Sequence, residues 1–226
     1  MDEAASGIRR ASVRFCLGPL AILILALAAW VALRQVDRSA RVDLRQGLTT
    51  VLSTTQQALR TWAKQERHAA STWASHQAVV DMAAALSAIS GDRAALLGAE
   101  AQRHLRDFLS GVMAARGDEG YFVIGTGNLN LASSRDANVG VTNLLVRHPD
   151  QLERLWSGQT AISYPLASDV PLTDSTSTLR AGRATMFVGA PIGNHSGTPI
   201  ALLVFRVNPY HEWANLLRRG RIGQTG

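Results

Sequence analysis

Residues 120–134 read GYFVIGTGNLNLASS, and the periodicity of the chain changes here. Upstream, apolar residues recur every three or four positions. From Glu119 two short β-prone runs, Tyr121–Thr126 and Leu129–Ser134, flank Gly127-Asn128. Such a pair between two strand-like runs is a hairpin signal, because both residues tolerate the positive φ of a tight turn. Three more strand-like runs follow, at about Thr160–Leu166, Thr185–Ile192 and Pro199–Val207. A polar loop, Arg135 to Asn143, and a short helix from His148-Pro149-Asp150 to Trp156, stopped by Gly158, fill the gap between. The polar stretch Ser168–Gly182 (SDVPLTDSTSTLRAG) reads as a mobile flap over one sheet edge. The turn Gly193–Gly197 joins the last two strands. Residues 118–208 are therefore expected to form an α+β domain with a five-stranded antiparallel sheet.

Working back towards the N-terminus, residues 34–117 contain no proline and almost no strand signal. Apolar or small residues at Leu44, Leu48, Val51, Thr55, Ala58 and Trp62 alternate steps of four and three, a heptad-like seam on one long helix. The seam suits either packing onto the protein's own domain or a parallel homodimer stalk. Two more helices are expected, His76 to Ile89 and then Asp92, as N-cap, to Arg116, with Gly117 as the stop.

Before the stalk, the nineteen residues Phe15–Leu33 (FCLGPLAILILALAAWVAL) carry no charge and are bracketed by Arg14 and Arg34. At roughly 1.5 Å per residue, a helix of that length spans about 30 Å, the hydrocarbon core of a bilayer. A buried core helix and a cleaved signal peptide compete with this reading. The signal peptide has Arg9, Arg10 and Arg14 as its basic region and Ala26-Leu27-Ala28 as its cleavage site. The apolar run continues past that site, which favours an uncleaved anchor at 15–33 behind a cytoplasmic tail, 1–14. Basic residues on both sides leave the positive-inside rule without a clean answer. The short leading tail puts the N-terminus inside and residues 34 onward outside the membrane.

Of the 226 residues 46% are hydrophobic and 18% charged, which excludes a disordered chain. The single cysteine, Cys16, excludes an internal disulfide framework. The net charge of +6 rests on one lysine and 22 scattered arginines, mostly with an acid nearby. The Arg218–Arg221 cluster lacks interleaved aromatics, so no nucleic-acid surface is expected. Gly125–Asn130 lacks the third glycine of a dinucleotide loop and lies in a hairpin, and Gly193–Gly197 does not have nucleophile-elbow spacing. No catalytic residue, metal site or cofactor is expected, and the chain itself is not expected to be an enzyme.

Gly120–Ile124, Gly127-Asn128-Leu129, Ala132–Ser134, Asp136, Val139-Gly140, Met186–Ile192 (MFVGAPI), Gly197 and Ile200–Pro209 (IALLVFRVNP) stand in an order that resembles the extracytoplasmic Cache sensor domains of bacterial receptors, in particular the double-Cache type. The resemblance runs from about residue 15 to the end. It implies a PAS-like Cache sheet domain at 118–208, and an exit helix with the start of a second module at 209–226. It further implies that the chain is the front of a larger receptor or a truncated reading frame. The output would be a sensor histidine kinase, favoured over a chemoreceptor signalling domain or a nucleotide cyclase. The setting would be a bacterial inner membrane, crossed once by this chain, with the sensor outside.

In such domains a small ligand sits between the sheet and the segment that crosses it, which singles out Tyr121, Asp136, Tyr164, Arg183 and Arg206. Relatives that bind amino acids carry an Arg-x-Trp-Tyr-like signature, absent from NLLVRHPDQLERLW here. They also hold the ligand's amine with an aspartate near the end of the last strand, where this chain has Arg206. A cationic pocket repels an amine and accepts a carboxylate, so the expected ligand is an organic anion. Two other readings stay open: a secreted periplasmic binding protein after signal cleavage, and a membrane-anchored interaction protein without enzymatic activity.

Overall fold

The computed structural model describes residues 3–89, 92–168, 171–173, 179–180, 182–194, 196–209 and 213. Helix α1 (Glu3–Ala74) opens the chain without a break. It begins well before the apolar run, so Pro19 falls inside the helix. The side chains of 15–24 and of Ala26 lie outside the described residues. Among the described residues, no helix is long and apolar enough to cross a membrane. The exit helix and second module expected at 209–226 lie outside the described residues, apart from Pro209 and Trp213.

The chain divides into two compact units, Met1–Thr54 and Thr55–Gly226. In the first, the seam residues Leu44, Leu48 and Val51 are exposed. In the second, Thr55, Ala58 and Trp62 are half-buried, and Ala70 and Ala74 fully so. That half of the seam packs onto the protein's own domain.

Helices α2 (Gln77–Ser87), α3 (Arg93–Gly98) and α4 (Glu100–Arg116) follow. The single helix expected from Asp92 to Arg116 is in fact two. Asp92 caps as expected, its carboxylate accepting the N–H groups of Ala94 at 3.2 Å and Ala95 at 3.3 Å. The helix then breaks at Ala99, which is extended at ψ 135°, directly after Gly98, a poor helix former. Gly117 ends α4 at φ +74°, its N–H returning 2.8 Å to the Met113 carbonyl, a left-handed stop open to glycine without strain.

The expected hairpin forms from β1 (Gly120–Ile124) and β2 (Asn130–Ser133), with Asn128 at φ 61° in the turn. A loop with two short 3₁₀ turns leads to α5 (Pro149–Trp156), whose proline sits at the first helical position, where a missing N–H costs nothing. Strands β3 (Ala161–Ile162) and β4 (Leu166–Ala167) come next. In the excursion 168–182, β5 (Leu172–Thr173) pairs with β6 (Leu179–Arg180) as a separate ribbon, and the rest of that flap lies largely outside the described residues. The long pair β7 (Ala184–Gly193) and β8 (Pro199–Val207) completes the set. The main sheet is antiparallel in the order β2-β1-β8-β7-β3, with β4 also on β7.

Among the described residues it therefore has six strands rather than the expected five. The run 160–166 pairs with β7 as two short pieces, because Tyr164 and Pro165 leave the ladder between them, while the Ser163 N–H still donates to the Phe187 carbonyl at 2.8 Å. Pro165 has no N–H to give, and the Ser163 hydroxyl, rather than a backbone carbonyl, accepts the Phe187 N–H at 2.9 Å.

Alternation divides the sheet into two faces. Val123, Val188, Ala190, Leu203 and Phe205 pack with Val79, Leu86, Leu105 and Leu109 of α2 and α4. Phe122, Ile124, Phe187, Leu202 and Val204 pack with Leu144, Leu145, Leu152 and Leu155 of the loop and α5. Buried amides pin that loop: Asn143 Nδ2 donates to Asn130 Oδ1 at 2.6 Å, and Asn130 Nδ2 to the Asn138 carbonyl at 2.9 Å.

Candidate ligand-binding face

The apolar run of β8, IALLVFRV, is interrupted once, at Arg206, and alternation turns that residue to the α5 side together with Leu202 and Val204. Arg206 is 2% exposed. Its Cα is opposite Phe187 on β7 and Gly120 on β1. The guanidinium carbon lies 5.1 Å from the Phe122 ring centre and 5.5 Å from that of Phe187. The two rings meet edge-on at 5.8 Å. Their quadrupoles offset part of the cost of holding a charge away from water.

Arg183, one residue before β7, brings a second cation to the same end of the sheet. Its Nη1 lies 3.9 Å from Oε1 of Glu119. Glu119 connects the two arginines, since its N–H donates to the Arg206 carbonyl at 2.8 Å. Asn208 donates to the same Glu119 Oε1 at 2.9 Å. Thr185, two residues before Phe187, is buried, and its hydroxyl has no hydrogen-bond partner among the described residues. Nε2 of His148, at the start of α5, is in the same position. The His148 ring lies 6.3 Å from that of Tyr164, which is 65% exposed between β3 and β4.

The remaining two expected residues lie elsewhere. Tyr121 is fully buried on the helix-facing side of β1. Burial pushes its phenol well above the usual range, and the nearby Arg106 charge only partly offsets this. The phenol oxygen makes no hydrogen bond of ordinary geometry among the described residues. Asp136 is exposed in a 3₁₀ turn and pairs with Arg106 at 2.6 Å. Thus Arg206 and Tyr164 belong to the α5 side and Arg183 stands beside Glu119 at the same end of the sheet, whereas Tyr121 and Asp136 converge on Arg106. Sequence reasoning missed Glu119, Thr185, His148 and Asn208. The signal for Thr185 and Asn208 was their two-residue spacing from Phe187 and Arg206.

This face offers guanidinium donors and a buried hydroxyl over an aromatic floor, a donor set that matches the oxygens of a carboxylate. Among the described residues, no group of three His, Cys, Asp or Glu side chains is placed to hold a metal.

Comparison with solved structures agrees with this architecture. The sensor domain of the histidine kinase DctB of V. cholerae is similar at TM-score 0.51 and 14% identity, over 74% of this chain and 57% of that one. The E. coli DcuS sensor domain gives TM-score 0.47 at 11% identity, over 74% of this chain and 98% of that one. The sensory domain of the Campylobacter jejuni chemoreceptor Tlp3 with isoleucine bound gives 0.43 at 13% identity, over 75% and 60%. No family model matches the sequence, and no curated protein does. The chain shares the fold of the DctB sensor domain.

Proposed function

We propose that this chain is the extracytoplasmic input of a bacterial signal-transduction receptor and that it senses a small organic anion. The observation that carries this reading is Arg206, a buried cation over two aromatic rings on the sheet face below α5, with Arg183 at the same end. The sensor-domain fold supports the sensing role, and a donor-rich cationic face supports the charge of the ligand. Arg206 and Arg183 take the carboxylate, and Tyr164 closes over it from the rim. Tyr121 and Asp136, which meet at Arg106, set the sheet against α4 rather than touch the ligand.

In this account residues 15–33 anchor the chain in the inner membrane and the seam from Leu44 to Val51 pairs two copies. The output is a sensor histidine kinase. Ligand binding shifts the sheet domain relative to the long helix. Transmission requires that the ligand bind one helix arrangement better than the other.

The test is a thermal-shift screen of the full chain in detergent, with small carboxylates, amines and zwitterions at equal ionic strength. The reading predicts that carboxylates raise the melting temperature and amines do not. A rise with amines or zwitterions alone would overturn the anionic assignment, and no rise with any class would overturn the sensing role.

A further inference from the structure

Two adjacent carboxylates at the start of β1 are held in opposite ways. Asp118 grips Arg116 at 2.5 Å, and its side chain is 3% exposed. Glu119 faces Arg183 across 3.9 Å, the outer limit of an ion pair, with both side chains mostly buried. One oxygen of Glu119 takes the neutral Asn208 amide at 2.9 Å. The other is buried with no hydrogen-bond partner among the described residues. A buried carboxylate oxygen left without a donor is costly, so Glu119 is poised rather than locked. Its main chain, by contrast, is fixed through the Arg206 carbonyl.

We propose that Glu119 is an internal competitor for the ligand, an intramolecular carboxylate that engages Arg183 in this state and yields it when an external anion binds. This rests on the reading that the α5-side face takes an anion. The chemistry is a like-for-like exchange, one carboxylate for another at the same guanidinium, and it uses no other co-reactant. Glu119 then turns outward, relieving its unpartnered oxygen. Because its neighbour Asp118 is bonded to Arg116, which also bonds Glu66 of α1, the exchange takes place one residue from the contact with the long helix. Glu119 also sets selectivity. A ligand must outcompete a tethered carboxylate, so only anions that reach both Arg183 and Arg206 succeed.

The test is calorimetric titration of the full chain in detergent with acetate, succinate and citrate at fixed ionic strength, in wild type, Glu119→Gln and Glu119→Asp. The glutamine keeps an oxygen for Asn208 and removes the charge. It is expected to tighten binding of the best of the three anions by about tenfold, the effect of one partly buried charge pair. The shorter aspartate, which keeps the charge but reaches less far, is expected to give a smaller gain and guards against a folding defect in either variant. Equal affinity in all three proteins would overturn the competitor role and leave the anion reading intact. Binding by Glu119→Gln alone would support a competitor strong enough to keep the wild-type site closed. Binding by none of the three would overturn the anion reading, and the competitor with it.

Discussion

Arg116 at the end of α4 and Glu66 on α1 are joined by an ion pair of 2.5 Å, although they lie fifty positions apart in the chain. Arg116 also holds Asp118 and stacks 4.9 Å from the Phe205 ring. Burial on its own lowers the affinity of this guanidinium for its proton. Asp118 and Glu66 outweigh that and raise it. One side chain thus ties the long helix, α4 and the entry to β1 together.

Removing the α1 partner tests that tie. Glu66→Gln is expected to cost about 1–2 kcal/mol, less than a fully buried pair because both side chains keep some contact with water. Equilibrium urea unfolding of the full chain measures it, and a change below about 0.3 kcal/mol would mean that the pair does not hold the helix.

Tyr121 predicts a pH dependence. A phenol whose pKa rises on folding holds its proton more tightly in the folded state. Its contribution to stability is whole below the unfolded value of 10.0 and is lost as pH rises beyond it. Thermal melts from pH 8 to 11 should show alkaline destabilisation that is reduced in Tyr121→Phe. At pH 7 the variant should differ by no more than about 1 kcal/mol, since among the described residues the hydroxyl has no hydrogen bond of ordinary geometry and meets only the Arg106 charge.

Gly189 on β7 predicts a packing defect. An added Cβ would lie 3.0 Å from a Leu155 methyl and 3.1 Å from one of Val204. Gly189→Ala is therefore expected to cost about 1–3 kcal/mol by pushing α5 off the sheet. Urea unfolding measures it, and a neutral result would mean that α5 sits more loosely than Leu155 indicates.

The exposed half of the stalk seam predicts pairing between copies. Leu48→Cys, at a position 66% exposed, is expected to form a symmetric disulfide in membranes under mild oxidation. Ala70→Cys, buried in the domain, is expected not to. Crosslinking at neither position would remove the proposed dimer.

Much of this fold was legible because strand alternation and the Gly127-Asn128 turn are strictly local signals. The six-strand count was not. Whether Tyr164 and Pro165 continue a ladder depends on β7, which is about twenty residues further on. The break at Ala99 had only Gly98 to announce it, and an isolated glycine within a helical pattern is usually tolerated. At the site, Arg206 stood out as a lone charge in an apolar strand. The helix-facing placement of Tyr121 was not legible, because its face depends on strand phase and an apolar run such as YFVI conceals phase. Glu119 read as the last polar residue before a strand, and only the tertiary approach of Arg183 and Asn208 gives it chemistry.

Calorimetric titration of the full chain with small carboxylates, comparing wild type with Arg183→Ala and Arg206→Met, tests the central claim most directly. The account predicts that at least one carboxylate binds wild type and that each substitution weakens it by about tenfold or more, the loss of a charged hydrogen bond. Circular dichroism of each variant verifies that the fold is kept. Binding left unchanged by both substitutions in folded protein would contradict the claim that this arginine face takes the ligand.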